Sequence, residues 1–271
     1  MNKCIICKSS KFKVLYKSKD WQIEKCLKCG LVRTKRQKKE SLSDYHRDEQ
    51  YLVSEKQFVN IFKKRIEIIN KLFIKKGRVV DIGCSTGIFL NLLKDEGWEV
   101  LGIEPSRSAK YAKQKGLEVI NKTFEETKLP NNKYDLVVLN HTLEHLNNPL
   151  QVLKKVYSIL KKGGIVFVDV PNFGSISSVI FRKRYKFLLP KEHNYHFTKD
   201  SLEKLLKESN FKIKYSETRS GIFDYNNPFL EIWMSLISFK KRFFTNIVNL
   251  PLSFIEKIFN RGTAITIIGQ K

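Results

Sequence analysis

The apolar positions of the chain change their spacing several times, and each change marks an element. Phe12–Tyr16 and Trp21–Ile23 are short runs that read as strands of a small ribbon. From residue 31 to 53, charge replaces periodicity, as in a connector. Beyond Ser54, apolar residues return at helical spacing as Phe58, Ile61, Phe62, Ile66, Ile69 and Phe73. Arg78–Ile82 then reads as a buried strand, Gly83–Gly87 as a glycine turn and Ile88–Leu93 as a helix that Gly97 ends. Trp98–Glu104 is the next strand. This order predicts an α/β domain over residues 54–271, preceded by a ribbon at 1–35 and a connector at 36–53.

The chain has 271 residues, and its hydrophobic fraction of 42% suits a packed core. No run of eighteen apolar residues occurs, and residues 1–30 carry lysines and cysteines rather than a signal-peptide core. A cytoplasmic protein is the expectation, with a peripheral place at the inner membrane surface as its variant. Lys and Arg number 51 against 27 acids, a net charge of +24. Such a field attracts RNA, phospholipid surfaces or diphosphate-bearing substrates. A lysine-rich surface that is merely solvated accounts for it equally well.

Cysteine spacing is more specific. Cys4 and Cys7 form one CxxC pair and Cys26 and Cys29 another, with eighteen residues between the pairs. Without an export signal this reads as a tetrahedral, structural zinc site rather than two disulfides. So small a module has little core of its own, and the metal would supply much of its folding free energy.

The glycine turn is GxxxG rather than GxGxxG, and an acid, Asp81, stands near the strand end, two residues before Gly83. That carboxylate would repel a pyrophosphate but not the cationic amino-acid end of S-adenosylmethionine. Glu104 ends the next strand, seventeen residues beyond Gly87, where a carboxylate accepts hydrogen bonds from both ribose hydroxyls.

Together, VVDIGCSTGIFLNLL, GIEPS, YDLVVLNHTLEHLNNP, LKKGGIVFVDVPN and EHNYHFTKDSLEKLLKESNF resemble a class I, Rossmann-like S-adenosylmethionine-dependent methyltransferase over residues 55–271. The resemblance implies a seven-stranded sheet of order 3-2-1-4-5-7-6 whose last strand, Thr263–Gln270, is antiparallel. It implies that Asp81, Gly83, Cys84 and Gly87 surround the methionine end and that Glu104 holds the ribose. Phe124 and Glu125 would approach the adenine, and Asn140 would lie beside the sulfonium. Ser85 departs from the commonest pattern, which has a middle glycine there. Cys84 itself reads as a small packed residue rather than a nucleophile.

Four of the five histidines fall in Asn140–His145 and His193–His196, segments that rim the acceptor pocket in this fold. His145, His193, His141 and His196 are therefore the candidate bases for removing a hydroxyl proton. The His141-x-x-Glu144-His145 spacing is also a candidate for a second divalent metal. No [DN]PP[YFW] or Pro-Cys motif is present, which disfavours exocyclic nucleobase amine and pyrimidine C5 methylation.

Residues 221–261 form an insertion before the last strand, in which Phe229, Ile232, Trp233, Leu236, Ile237, Phe243, Phe244, Ile247 and Val248 trace a helical face. Lys240, Lys241 and Arg242 lie among them, and Ile176–Leu189 is similarly apolar and basic. Both read as lids, or as basic amphipathic helices at a membrane surface. With its CxxC ribbon and Pro171-Asn172 pair, the chain is also similar to methyltransferases of sugar and surface-polysaccharide pathways. The expectation is methyl transfer to a hydroxyl of a nucleotide- or lipid-linked sugar, an anionic acceptor. A ribosomal RNA base and a non-enzymatic cofactor-binding role are the alternatives.

Overall fold

A computed structural model of the chain describes residues 3–36, 55–72, 76–237 and 248–271. The connector at 37–54, Phe73, and the insertion residues Lys240, Lys241, Arg242, Phe243, Phe244 and Ile247 lie outside the described residues.

Three strands open the chain: β1 (Phe12–Lys17), β2 (Trp21–Cys26) and β3 (Val32–Arg36). β3 forms where the sequence shows charge without periodicity, because its cross-strand partners, not its own pattern, hold it. After α1 (Glu55–Asn70) come β4 (Arg78–Ile82), α2 (Ile88–Asp95), β5 (Glu99–Ile103), α3 (Ala109–Gln114), β6 (Val119–Ile120) and β7 (Tyr134–Asn140). α4 (Pro149–Ile159) leads into β8 (Leu160–Pro171), followed by α5 (Ile176–Phe181), β9 (Tyr195–His196), α6 (Lys199–Glu208) and β10 (Lys212–Arg219). α7 (Pro228–Ile237), α8 (Leu250–Ile258) and β11 (Ala264–Gln270) complete the order.

Seven strands form one sheet in the order β10-β11-β8-β7-β4-β5-β6. Counted along the domain, this is 3-2-1-4-5-7-6, as expected. β11 runs antiparallel to both neighbours, pairing Ile267 with Val168 on one side and Ser216 on the other. The central strands are apolar on both faces because helices cover both faces. Val79 and Val80 of β4 and Leu136–Leu139 of β7 are fully buried. On one face Phe62 of α1 stacks on Phe89 of α2 at 5.1 Å, and Phe89 meets Phe167 of β8 at 6.3 Å. On the other, Val152, Leu153 and Val156 of α4 join Leu202, Leu205 and Leu206 of α6. The apolar stripes of these helices are the faces that go inward.

The second sheet is β1-β2-β3-β9, all antiparallel, so a strand of the catalytic domain completes the cysteine ribbon. Cys4, Ile5, Ile6, Cys26, Cys29 and Leu31 belong to the same core cluster as Leu143, Leu146 and Phe197. The ribbon is thus built into the domain rather than appended to it.

A buried ionic knot ties the helical cover to the sheet. Arg65 of α1 meets Asp169 of β8 at 3.2 Å and Asp224 at 2.7 Å, while Arg219 of β10 meets the same two carboxylates at 2.7 and 3.1 Å. Burial opposes ionisation of Asp224, but Arg65 and Arg219 outweigh it and hold its carboxyl at about 2.

Candidate active site

The turn after β4 depends on two left-handed glycines, Gly83 at φ +79° and Gly87 at φ +78°. A Cβ on Gly83 would overlap the Thr142 side chain, whose hydroxyl donates to the Ile82 carbonyl at 2.9 Å. A Cβ on Gly87 would overlap Leu117 and Ala112, so this glycine lets α3 pack against the turn.

The backbone amides of Gly83, Cys84, Ser85 and Gly87 are already engaged within the protein. Gly83 and Cys84 N–H donate to the Ile103 carbonyl, Gly87 N–H to the Cys84 carbonyl, and Ser85 N–H to the Glu104 carboxylate at 2.9 Å. The other Glu104 oxygen accepts from Ser106 N–H at 2.9 Å. The turn therefore presents an oriented carboxylate rather than open amides, and a carboxylate with two such bonds retains lone pairs for further donors.

Beneath the turn Asp81 is buried, and its Oδ1 has no hydrogen-bond partner. Burial, and secondarily the Glu104 charge, push its carboxyl up to about 8. Cys84 turns away into a cluster with Leu90, Ala109, Ala112, Leu117 and Val119, where burial raises its thiol well above the ordinary range. Its side chain is a packing element, which corrects its inclusion among residues touching a cofactor.

A cavity of about 1280 Å³ opens above these strands. Gly83, Glu104, Phe124, Glu125, Asn140, His141, His145 and His193 all line it; Asp81, Cys84, Gly87 and His196 do not. Phe124 is fixed from behind by Lys155, whose ammonium lies 4.5 Å over the ring and donates to the carbonyls of Phe124, Glu125 and Thr127. Asn140 ends β7 with a buried Oδ1 that has no partner. Gln57, Phe58 and Arg65 of α1 also line the cavity, as do Arg184 and Lys186 at its rim. No motif announces the three α1 residues, since only packing brings α1 over the sheet, whereas Arg184 and Lys186 belong to the basic segment read above as a lid.

The histidines divide by environment. His141 follows β7 in a left-handed conformation, φ +52°, with Nδ1 at 3.5 Å from Glu144 and Nε2 at 3.7 Å from Asp169. Desolvation opposes its protonation, but the two carboxylates prevail and raise its pKa. Glu144 is buried and held at about 2, against the cost of its own burial, by the surrounding histidines. His145 stacks edge-on with His193 at 4.8 Å, and its Nδ1 lies 3.2 Å from the Glu192 carbonyl. That contact places the proton on Nδ1 and makes Nε2 the basic nitrogen. One ligand atom each of Glu144, His145 and His193 lies within 4.8 Å of the others. His196 instead sits in β9, bonded to the Thr34 hydroxyl at 2.8 Å, and burial drops its pKa well below the ordinary value. It serves the ribbon, not the cavity, and is removed from the candidate bases.

Thr34 and Arg36 of β3, unremarked in the sequence, clamp the loop that carries His193. The Thr34 hydroxyl donates to the His193 carbonyl at 2.7 Å. The Arg36 guanidinium donates to the carbonyls of Pro190 and His193 and to the Asn194 side chain at 2.7–2.9 Å. The partners lie more than 150 residues apart, so no local pattern could announce them.

Cys4, Cys7, Cys26 and Cys29 are unpaired, and their sulfurs lie within 4.8 Å of one another. Cys4 and Cys29 are 3.4 Å apart and Cys7 and Cys26 3.5 Å. Sulfurs about 2.3 Å from a tetrahedral zinc stand about 3.8 Å apart, so the cradle fits that ion. Burial raises the Cys4 and Cys29 thiols; for Cys26 burial is outweighed by the amides of Cys29 and Lys28, which bring it to about 7.

Residues 53–216, more than half of the chain, match the model of a methyltransferase domain. The chain belongs to that family. The methyltransferase is 32% identical over 159 residues to the ubiquinone biosynthesis O-methyltransferase of Aliivibrio fischeri, covering 53% of this chain and 67% of that protein. It is 30% identical to an uncharacterised protein of Methanocaldococcus jannaschii, over 58% of this chain and 76% of that one. Its fold matches a SAM-dependent methyltransferase of Archaeoglobus fulgidus with a TM-score of 0.60 at 23% identity, covering 83% and 100% of the two chains. A possible histamine N-methyltransferase of Thermotoga maritima gives 0.57 at 24% identity, over 83% and 93%. The protein is an S-adenosylmethionine-dependent methyltransferase with the Rossmann-like sheet of its family.

Proposed function

We propose that this methyltransferase transfers the methyl group of S-adenosylmethionine to a hydroxyl of an anionic, nucleotide- or lipid-linked sugar. The observation that carries the reading is the single cavity that joins Glu104 and Asn140 to His145 and His193, with Arg184 and Lys186 at its rim. Its volume exceeds the roughly 300–1,000 Å³ of an ordinary ligand site, so it has room for cofactor and extended acceptor together. A relative named as an O-methyltransferase supports an oxygen acceptor, and the rim cations suit phosphate. RNA is a poorer fit, because exposed apolar helices border the same cavity.

Bound S-adenosylmethionine supplies the activated methyl. Glu104 would receive the ribose hydroxyls, Phe124 would cover the adenine, and the orphaned Asn140 oxygen would meet the positive end, with the Asp81 carboxyl beneath the turn acting through its charge rather than by contact. His145 Nε2 accepts the acceptor hydroxyl's proton while its Nδ1–H stays on the Glu192 carbonyl. Glu144 steadies the resulting imidazolium, its Oε1 lying 4.0 Å from that nitrogen. The four cysteines would hold a zinc ion in a structural role, since they supply four protein ligands for it.

Two measurements test the cofactor half. Glu104→Ala is expected to weaken S-adenosylmethionine binding by about 1.5–3 kcal/mol, ten-fold or more by calorimetry; unchanged affinity would refute the ribose assignment. Asp81 gives a pH signature. Its carboxyl is raised in the folded protein, so the protonated form is favoured and its contribution to stability declines as pH rises from about 4 towards about 8. A cationic ligand favours the ionised form, so affinity should rise with pH by up to about ten-fold per unit and level off above about 8. Asp81→Asn should flatten this rise; an unaltered profile in the variant would assign it to another group.

The acceptor is reached by transferring labelled methyl from the cofactor into cell extract, then treating it separately with ribonuclease, glycosidases and lipid extraction. Label in sugar nucleotide, polysaccharide or glycolipid supports the proposal, and label lost to ribonuclease overturns it.

A further inference from the structure

Two helices that line the cavity, α5 and α8, and a third, α7, that follows the lining residue Tyr225, are inside out. α8 buries Ser253 and Glu256 but exposes Phe254, Ile255, Ile258 and Phe259. α7 buries Glu231 and exposes Phe229 at 82% and Trp233 at 61%. α5 buries Ser177 and Ser178 and exposes Val179, Ile180 and Phe181. In a water-facing helix the pattern is the reverse. The inverted helices adjoin: Ser177 N–H donates to Glu256 at 2.8 Å, and Phe223, in the turn before α7, meets Phe254 of α8 at 6.3 Å.

Charge identifies the missing neighbour. Segments 176–189, 228–237 and 248–261 contain two acids, Glu231 and Glu256, and both are buried. Their exposed charges are all positive: Arg182, Lys183, Arg184, Lys186, Lys257 and Arg261. An apolar surface of this kind, bearing an exposed Trp and, within these described segments, only cations as exposed charges, matches an anionic lipid interface, where aromatics enter the headgroup boundary and basic residues meet phosphate. Among the described residues no helix is long and apolar enough to cross a membrane, so the contact would lie on the surface. We propose that α5, α7 and α8 seat the methyltransferase on an anionic bilayer, with the cavity mouth bordered by Phe181, Arg184 and Lys186 facing the lipid. This deepens the acceptor reading above by choosing its lipid-linked branch.

The test is sedimentation of the whole protein with vesicles of phosphatidylcholine alone and of phosphatidylcholine mixed with phosphatidylglycerol. Binding to the anionic vesicles only, weakened by salt, is expected. Trp233→Ser with Phe254→Ser should lower the vesicle affinity about ten-fold or more. Cofactor affinity serves as the check on folding. Arg182→Glu with Lys183→Glu, which leaves the apolar face intact, should act in the same direction. No binding to either vesicle by protein that still binds S-adenosylmethionine would overturn the docking, leaving the methyl-transfer reading to its own test. Self-association that the apolar double variant abolishes, without vesicle binding, would assign the face to a second copy and overturn it as well.

Discussion

His145→Ala is expected to slow methyl transfer by about 10²–10⁴-fold, the usual contribution of a positioned base, with S-adenosylmethionine affinity almost unchanged. The expectation follows from a fixed tautomer. The Glu192 carbonyl at 3.2 Å orders Nδ1, and the Glu144 carboxylate stands ready for the proton that Nε2 gains. His141→Ala should cost less, because both its ring nitrogens already face carboxylates, Glu144 at 3.5 Å and Asp169 at 3.7 Å, and are less available to an acceptor hydroxyl. His196→Ala should affect stability rather than the chemical step, since that ring is buried on the ribbon sheet, bonded to the Thr34 hydroxyl. Turnover with the acceptor found by label transfer checks all three. A small loss from His145→Ala, beside a large one from His193→Ala, would move the base one ring over.

Loss of the metal is expected to reach well beyond the cysteines. Structural zinc contributes roughly 10–16 kcal/mol of apparent binding free energy in isolated zinc-finger peptides, and the zinc proposed here would join the two cysteine loops to each other at the edge of the core they share with the domain. Cys26→Ser, or chelation, should therefore release residues 3–36. β3 pairs Val32 with His196 and Arg33 with Tyr195, and Thr34 and Arg36 clamp residues 190–194, so the His193 loop should loosen with them. Hydrogen exchange should rise by at least about ten-fold across both segments while β4, β5 and β7 stay protected, the signature of a local opening unit. Purified protein should carry one zinc per chain by elemental analysis. Protein purified without chelator and lacking stoichiometric metal would sink the zinc assignment; exchange confined to 3–36 would sink the coupling.

Much of this was legible in the residues because the features concerned are local. GxxxG after a strand with an acid near its end, the carboxylate at the end of the next strand, and two CxxC pairs each depend on neighbours in sequence. The periodicities of β4, β5 and α2 depend on the same short range, whereas the sheet order came from the family resemblance that these motifs carry. Glu104, Asn140, His145 and His193 do line one cavity, as those motifs led one to expect.

What the sequence left open depends on which distant surfaces meet. Cys84 and Gly87 share a turn with Gly83, yet α3 packing turns them from the cavity. His193 and His196 are three residues apart, and strand alternation plus pairing with β3 sends one to the cavity and the other to the ribbon. The Arg65–Asp169–Arg219–Asp224 knot draws on four separate elements, so no window of sequence contains it. The aromatic face of 229–237 was visible as a helical stripe, but a stripe has the same period whether it points inward or outward. Only the folded chain, by burying Glu231, Ser253 and Glu256, settled that these apolar faces point out. Short-range chemistry thus determined the fold and the cofactor, and long-range packing decided which side chains reach the site and which face is left for a partner.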